Sequence, residues 1–344
     1  MMASKNEESD YSDRGLTGLA NLGNTCFINS AVQCISHTYL LNDFLNKETY
    51  KKRINKIPET LLLLEWDKLR KLMWSDNCII KPSGFLSAIH KVARLKNIDI
   101  FTGYAQNDLT EFLHFFVDCF HEAIKREVNM TIRGNVENSV DKLAKVCYEM
   151  KKNMYKKEYS DFLDMFFGMH VSTINSKESD YENISPEPFF ILSVPLTENK
   201  TLLDSFDEYC KIEMLDDDNK VEVSDGNKET CEKRIMFWSL PDILVITLKR
   251  FSNMNRKNKS LIDFPLHDLD LSKYVVGYNK SSYVYDLYGV CNHSGGVSGG
   301  HYTAHVKNAN GNWYNFNDTN VSRISENKIV STMAYCLFYR KKIS

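Results

Sequence analysis

Residues 21–26 read Asn21-Leu22-Gly23-Asn24-Thr25-Cys26, and they end where a helical pattern begins. Beyond Cys26 the apolar residues Ile28, Ala31, Val32 and Ile35 recur at helical spacing, so the thiol stands at a helix N-terminus. A thiol is mostly protonated at neutral pH, and the unpaired N–H groups and macrodipole of a helix N-terminus favour its thiolate. A single cysteine is ordinarily a small buried hydrophobe. That reading suits Cys34, Cys119 and Cys336, which lie inside apolar patterns. It suits Cys26 poorly, because polar Asn24 and Thr25 precede it in a glycine-containing turn. Asn24 and Thr25 themselves read as helix caps.

A nucleophilic thiol needs a base. His37, His90, His114, His121 and His170 fall in the helical half or just after it and read as structural. His301 follows Gly299-Gly300 and opens a strand, where backbone freedom lets a ring be set beside another segment. His305 lies further along the same strand face, and His293 sits in the preceding loop. The base in turn needs an orienting partner on its second nitrogen. Asn317 and Asp318 follow the strand-like Trp313-Tyr-Asn-Phe316 and also make good turn chemistry. Acyl transfer needs donors to an oxyanion. The Cys26 N–H is one candidate. The Asn21 carboxamide, five residues earlier, is the other, with capping of its own turn as the competing reading.

The 344 residues suffice for one large domain or two ordinary ones, and 43% apolar with 12% aromatic residues can fill a core. A net charge of −2 gives no reason to expect nucleic acid as the main partner. Nine scattered cysteines read as reduced thiols of a cytoplasmic or nuclear protein, and no zinc-type Cys-x-x-Cys pair is present. Runs such as Leu61–Leu64 and Ile243–Leu248 are too short to span a membrane. Residues 1–14 are polar and read as a disordered lead-in. Residues 15–126 carry helical periodicity, and 127–160 form a lysine-rich solvated helix or connection. From about 165 the pattern turns to β-type runs: Phe189–Leu196, Ile243–Phe251, Tyr283–Cys291, His301–Lys307, Trp313–Phe316 and Ala334–Arg340. Residues 308–312 read as a turn, and 202–238 as a polar stretch. The layout is α+β.

These residues resemble the ubiquitin-specific proteases, papain-like cysteine peptidases. Gly18–Ser30 is similar to the cysteine box of that family. Gln106-Asn-Asp-Leu-Thr-Glu-Phe112 resembles its Gln-Gln-Asp-x-x-Glu-Phe box, with Asn107 at the second glutamine. Leu240–Phe251 resembles a central strand of its palm, and Ser298–Ala304 with Trp313–Asp318 its histidine box. The likeness runs from Gly15 to Tyr339. It implies a hand: a helical thumb over about 15–160, β fingers over about 165–240 and an antiparallel β palm over about 241–341. It implies hydrolysis after the C-terminal glycine of ubiquitin through a thioester. Cys26 is then the nucleophile, His301 the base, and Asn21 an oxyanion donor. Asn317 orients His301, with Asp318 assisting or partly substituting. Asp108 and Glu111 hold the arginine-rich ubiquitin tail, although Asp-x-x-Glu is also a capping box. Tyr302 and Gly300 line the channel for the terminal glycines. Ubiquitin and ubiquitinated proteins are the expected partners of a monomeric enzyme, with neither membrane nor nucleic acid.

Many members of that family bind zinc through two Cys-x-x-Cys pairs in the fingers. Here residues such as Val223, Ser224 and Asp225 stand where thiols are expected, so neither zinc nor another cofactor is expected. Other readings are a non-catalytic ubiquitin-binding scaffold, an enzyme for another ubiquitin-like modifier and a generic papain-like protease. The intact Cys26, His301 and Asn317 argue against the first. The third ignores the boxes at 106–112 and 240–251.

Overall fold

The computed structural model describes residues 8–198, 200–224, 226–251, 256–296 and 299–342. Ser298 and Asp225, both used in the sequence reading, lie outside the described residues, as do residues 1–7.

The helical half is built on helix Cys26–Ser36, every residue of which is buried. Helices Glu59–Ser75, Ser83–Leu95 and Leu109–Ile124 pack beside it. Their apolar stripes meet in an aromatic cluster. Trp66 stands edge-on to Phe116 at 5.2 Å, and Phe116 lies 4.1 Å from Phe120 between ring centroids. Such buried rings dominate core energetics through their area. Helix Ser139–Lys157 follows, capped at Asn138 by a reciprocal capping box with Asp141.

The main sheet runs in the order Asn320–Ile324, Trp313–Asn317, Gly299–Lys307, Val284–Gly296, Ala334–Lys341, Ile243–Leu248, Ile191–Val194, with Leu269–Asp270 paired beside Val284–Gly296. All pairings are antiparallel except Ile191–Val194 on Ile243–Leu248, which is parallel. Every residue of Ile243–Leu248 is buried, as its unbroken apolar run requires of a strand covered on both faces. One core lies between this sheet and the helical half, holding Phe27, Ala304 and Phe316. A second lies on the opposite side, around Leu244, Ile246, Phe206 and Tyr339.

A separate four-stranded sheet has the order Glu182–Phe189, Gly168–Ser176, Cys231–Ser239, Glu213–Leu215. The stretch 202–238, read from sequence as merely polar, thus holds a helix (Leu202–Tyr209) and several short strands. At the far end of this sheet the buried Glu229 accepts hydrogen bonds from the Ser176 hydroxyl, from Ser179 Oγ at 2.6 Å and from Asn227 Nδ2 at 3.0 Å.

The lead-in differs from expectation. Tyr11 is buried, its ring stacked 4.5 Å from that of Tyr39, and its hydroxyl donates to Asp43 at 2.5 Å. An aromatic anchor with a carboxylate partner orders residues 8–14, which composition alone read as disordered. Among the described residues no helix is long and apolar enough to cross a membrane.

Candidate active site

The two chain ends meet where helix Cys26–Ser36 packs against strand Gly299–Lys307. Residues 18 and 19 pass directly under the turn at 318–319. A Cβ at Gly18 would stand 2.4 Å from the Thr319 carbonyl oxygen, so only glycine fits, and the Leu19 N–H donates to the Asp318 carbonyl at 2.9 Å.

Cys26 is buried at the first turn of its helix. Burial pushes its thiol above the ordinary range. Hydrogen bonding from the Tyr302 backbone opposes that rise, the negative charge of Asp318 adds to it, and the Phe27 and Cys26 backbone groups again oppose it. The expected helix-terminus stabilisation is present, but desolvation outweighs it in the resting protein. Among the described residues no hydrogen bond joins this thiol to the His301 ring. Thr25 is not a side-chain cap as expected. Its hydroxyl accepts from the Leu22 N–H at 2.9 Å and approaches Asn21 Oδ1 at 3.3 Å, closing the 21–25 turn. The first N–H groups of the helix are thereby left facing the sulfur. Asn24 does not cap either; its Nδ2 donates to the Tyr104 carbonyl at 2.9 Å.

Asn21 has a defined orientation. Its Oδ1 accepts the N–H groups of Gly23 and Thr25, each at 3.1 Å, so its Nδ2 faces the other way and donates to Asp318 Oδ2 at 3.0 Å. An amide nitrogen carries two hydrogens, and one remains for a ligand. His301 Nε2 meets Asn317 Oδ1 at 2.7 Å, the contact that orients an imidazole through its second nitrogen. Asn317 and Asp318 therefore have separate partners. Asp318 takes Asn21 and, at 2.8 Å, Asn29. Asp318 adopts φ 50° in the two-residue turn after Asn317, a conformation that aspartate tolerates.

The competing histidines are buried and held neutral. His293 Nδ1 lies 2.9 Å from Lys257 Nζ, and burial pushes its pKa down to about 4, with Lys257 adding to the shift. Burial likewise holds His305 at about 4.

Asp108 acts as a helix cap more than expected. Its Oδ1 accepts from the Thr110 N–H at 2.7 Å and from the Thr110 hydroxyl, and its Oδ2 from the Tyr335 hydroxyl at 2.7 Å. Glu111 is the exposed member of the pair. Its pKa is raised by burial and then by the charge of Asp108, so a cation arriving there would be favoured. Tyr302 is buried beside them, its ring 4.6 Å from that of His293. Gly300 has no room for a side chain, since a Cβ would fall 2.2 Å from the Ser294 carbonyl oxygen. Sequence reasoning gave no role to Asn29 or Gln106. An asparagine placed inside the helical pattern of Ile28, Ala31 and Val32 was the signal for the first.

The donors at the far end of the four-stranded sheet do not suit the zinc site that the resemblance implies for many family members. Ser176, Ser179, Asn227, Glu229 and the single thiol of Cys231 gather there, and the Cys231 thiol hydrogen-bonds to the Glu229 carbonyl. A tetrahedral thiolate site needs four strong ligands. Elsewhere among the described residues, His121, Glu122 and Glu158 come together, but Lys125 Nζ already sits 2.6 Å from Glu122 and 3.6 Å from Glu158.

Residues 17–339 match the family described as ubiquitin carboxyl-terminal hydrolase. Ubiquitin carboxyl-terminal hydrolase 2 of Bos taurus is 35% identical over 343 residues, covering 95% of this chain and 55% of the relative. Ubiquitin carboxyl-terminal hydrolase 21 of Homo sapiens is 31% identical, covering 99% of this chain and 66% of the relative. The chain thus spans about half the length of the first of these curated relatives and two thirds of the second. The fold is shared with the SAGA Ubp8/Sgf11/Sus1/Sgf73 DUB module bound to ubiquitin aldehyde, at a TM-score of 0.73 and 24% identity, over 100% of this chain and 72% of that one. With the family match running across nearly its whole length, this chain belongs to the ubiquitin carboxyl-terminal hydrolase family.

Proposed function

We propose that this protein is a thiol-dependent deubiquitinating hydrolase that cleaves the peptide or isopeptide bond after the C-terminal glycine of ubiquitin. The observation that carries the reading is the strand edge at 301–302. Tyr302 contacts the Cys26 thiol through its backbone, while the adjacent His301 is oriented by Asn317 at 2.7 Å. In the reaction His301 takes the Cys26 proton and the sulfur attacks the glycine carbonyl carbon. The oxyanion is held by the free Asn21 amide hydrogen and the Cys26 N–H. His301 gives the proton to the leaving lysine amine as the C–N bond breaks, leaving a thioester. Water, activated by His301, then cleaves the C–S bond through a second oxyanion.

The helical half serves as thumb, the four-stranded sheet as fingers and the main sheet as palm. Strand Ile191–Val194 belongs by pairing to the palm. Glu111 meets the cationic ubiquitin tail, with Asp108 behind it fixing the helix, and Gly300 and Tyr302 line the path of the last glycines. Ubiquitin-conjugated proteins are the substrates of a single copy of the chain. Its nine free thiols suit a reducing cytoplasm or nucleus.

Cys26→Ala should abolish cleavage of a ubiquitin C-terminal amide reporter, and a ubiquitin vinyl electrophile should label Cys26 in the wild type. Cleavage that survives the substitution overturns the reading. Ubiquitin binding without either reaction would make the chain a scaffold instead.

A further inference from the structure

We propose that Gln106 is a positioning residue that sets the place of His301 by clamping the strand that carries it. The inference rests on the hydrolase reading above. Strand Gly299–Lys307 pairs with Trp313–Asn317 only from Ala304 onward, so residues 299–303 have no strand neighbour on that edge. On the other edge they pair with the end of Val284–Gly296. Four of the paired residues near this hairpin end, 295, 296, 299 and 300, are glycines, and glycine is costly to hold in one conformation. Local sequence therefore supplies little rigidity one residue before the base.

The missing strand partner is replaced by one side chain. Gln106 Oε1 accepts the Gly300 N–H at 3.0 Å, and Gln106 Nε2 donates to the Gly300 carbonyl at 2.9 Å. Both backbone groups of a single residue are thus satisfied as a ladder neighbour would satisfy them. Groups two residues apart point to the same edge of a strand, and Tyr302 is the next on that edge, where it reaches the Cys26 sulfur. Gln106 itself lies in irregular chain between helices. The catalytic turn fixes that segment through the Asn24 amide on the Tyr104 carbonyl at 2.9 Å. A continuous path therefore runs from Cys26 through Asn24, Tyr104, Gln106 and Gly300 to His301. It ties nucleophile and base, which come from opposite ends of the chain, across the cleft.

The test is Gln106→Ala in the full chain, with Gln106→Met as a second variant that keeps bulk without hydrogen bonds. Both should lower kcat on the ubiquitin amide reporter about ten- to a hundredfold, the scale of a misplaced catalytic group, with KM within about twofold. The pH at which iodoacetamide alkylation of Cys26 is half-maximal should move up in both, because the loosened strand also carries Tyr302, whose backbone hydrogen bond favours the thiolate. Thermal melting should stay close to wild type, since Gln106 is exposed. A rise in kcat/KM would make Gln106 an obstruction in the path of the tail and overturn the proposal. So would a change in KM alone, or an unmoved alkylation profile. A wild type inert towards the reporter would sink the hydrolase reading instead, and the alkylation profile, which needs no ubiquitin, would still judge the clamp.

Discussion

Two carboxylates gather polar donors in separate sheets of this molecule, and they are not equivalent. At the fingertip, Glu229 collects Ser176, Ser179 and Asn227. Those residues already sit on or beside paired strands, because Ser176 is the register partner of Cys231. Glu229 therefore reinforces a contact that backbone pairing has made. At the catalytic seam, Asp318 collects Asn21 and Asn29, which are 297 and 289 residues away in sequence. Side chains there carry much of the connection. The fingertip carboxylate fastens a local turn, whereas on the proposed hydrolase reading the seam carboxylate aims an oxyanion donor.

The largest expected effect tests the seam. Asp318→Ala frees the Asn21 amide and leaves the buried Asn29 amide without its carboxylate. Loss of an aimed oxyanion donor costs about a hundred- to a thousandfold in kcat, and steady-state kinetics on the reporter should show it with KM little changed. A loss under tenfold would mean that Asn21 holds its aim through Gly23 and Thr25 alone. Asn317→Ala should cost less, about tenfold to a hundredfold, since it leaves His301 in place and removes only its orientation. The reverse ranking of these two variants would undo the division of labour between adjacent residues.

Glu111→Gln moves the test from chemistry to binding. Its carboxylate is exposed, so loss of one ion pair with a cationic tail should raise KM about two- to fivefold, the scale of a surface salt bridge. The effect should shrink with added salt while kcat stays constant. A fall in kcat would place Glu111 in the catalytic geometry instead.

The readings made from sequence divide along the same line as the two carboxylates. Cys26, His301 and the pair Asn317-Asp318 could be singled out as candidates because their surroundings are local: a turn before a helix, two glycines before a strand, a strand before a turn. The resemblance put Asn317 first, and the structure brings it to His301. The α+β layout was legible from the change of period near residue 165. The strands at 213–215, 221–224 and 227–229 were not, because they are short, polar and half-exposed, and distant partners rather than propensity determine them. The capping bonds of Asp108 were legible from Asp-x-x-Glu, but its Tyr335 partner, 227 residues away, depends on the fold. Thr25 looked like a cap until the turn in front of it took its hydroxyl. In each case the residue type was informative, and the partner was supplied by tertiary structure.

The smallest expected effect tests the fingertip, and its sign follows from the charge. Hydrogen bonds from Ser176 and then Ser179 hold the Glu229 carboxyl below the ordinary range. A group whose folded pKa lies below its unfolded value adds stability above the unfolded pKa, about 4.3 for glutamate. That stability fades as pH falls through the folded value. The local reporters are the N–H groups of Glu178 and Ser179, which donate to Ser176 Oγ at 2.9 and 3.1 Å. Hydrogen exchange at these two positions should be protected in the wild type at pH 7 and less so in Glu229→Gln, whose amide cannot accept with both terminal atoms. The difference should close as pH drops below about 4.3 and through the lower folded value. Dialysis against a chelator should leave the protection unchanged, because hydroxyl and amide donors to a carboxylate need no metal. kcat on the reporter should also be unchanged in the variant. A protection gap of equal size at every pH would show that the shape of Glu229, and not its charge, holds the fingertip. Protection lost on chelation would show that a metal does.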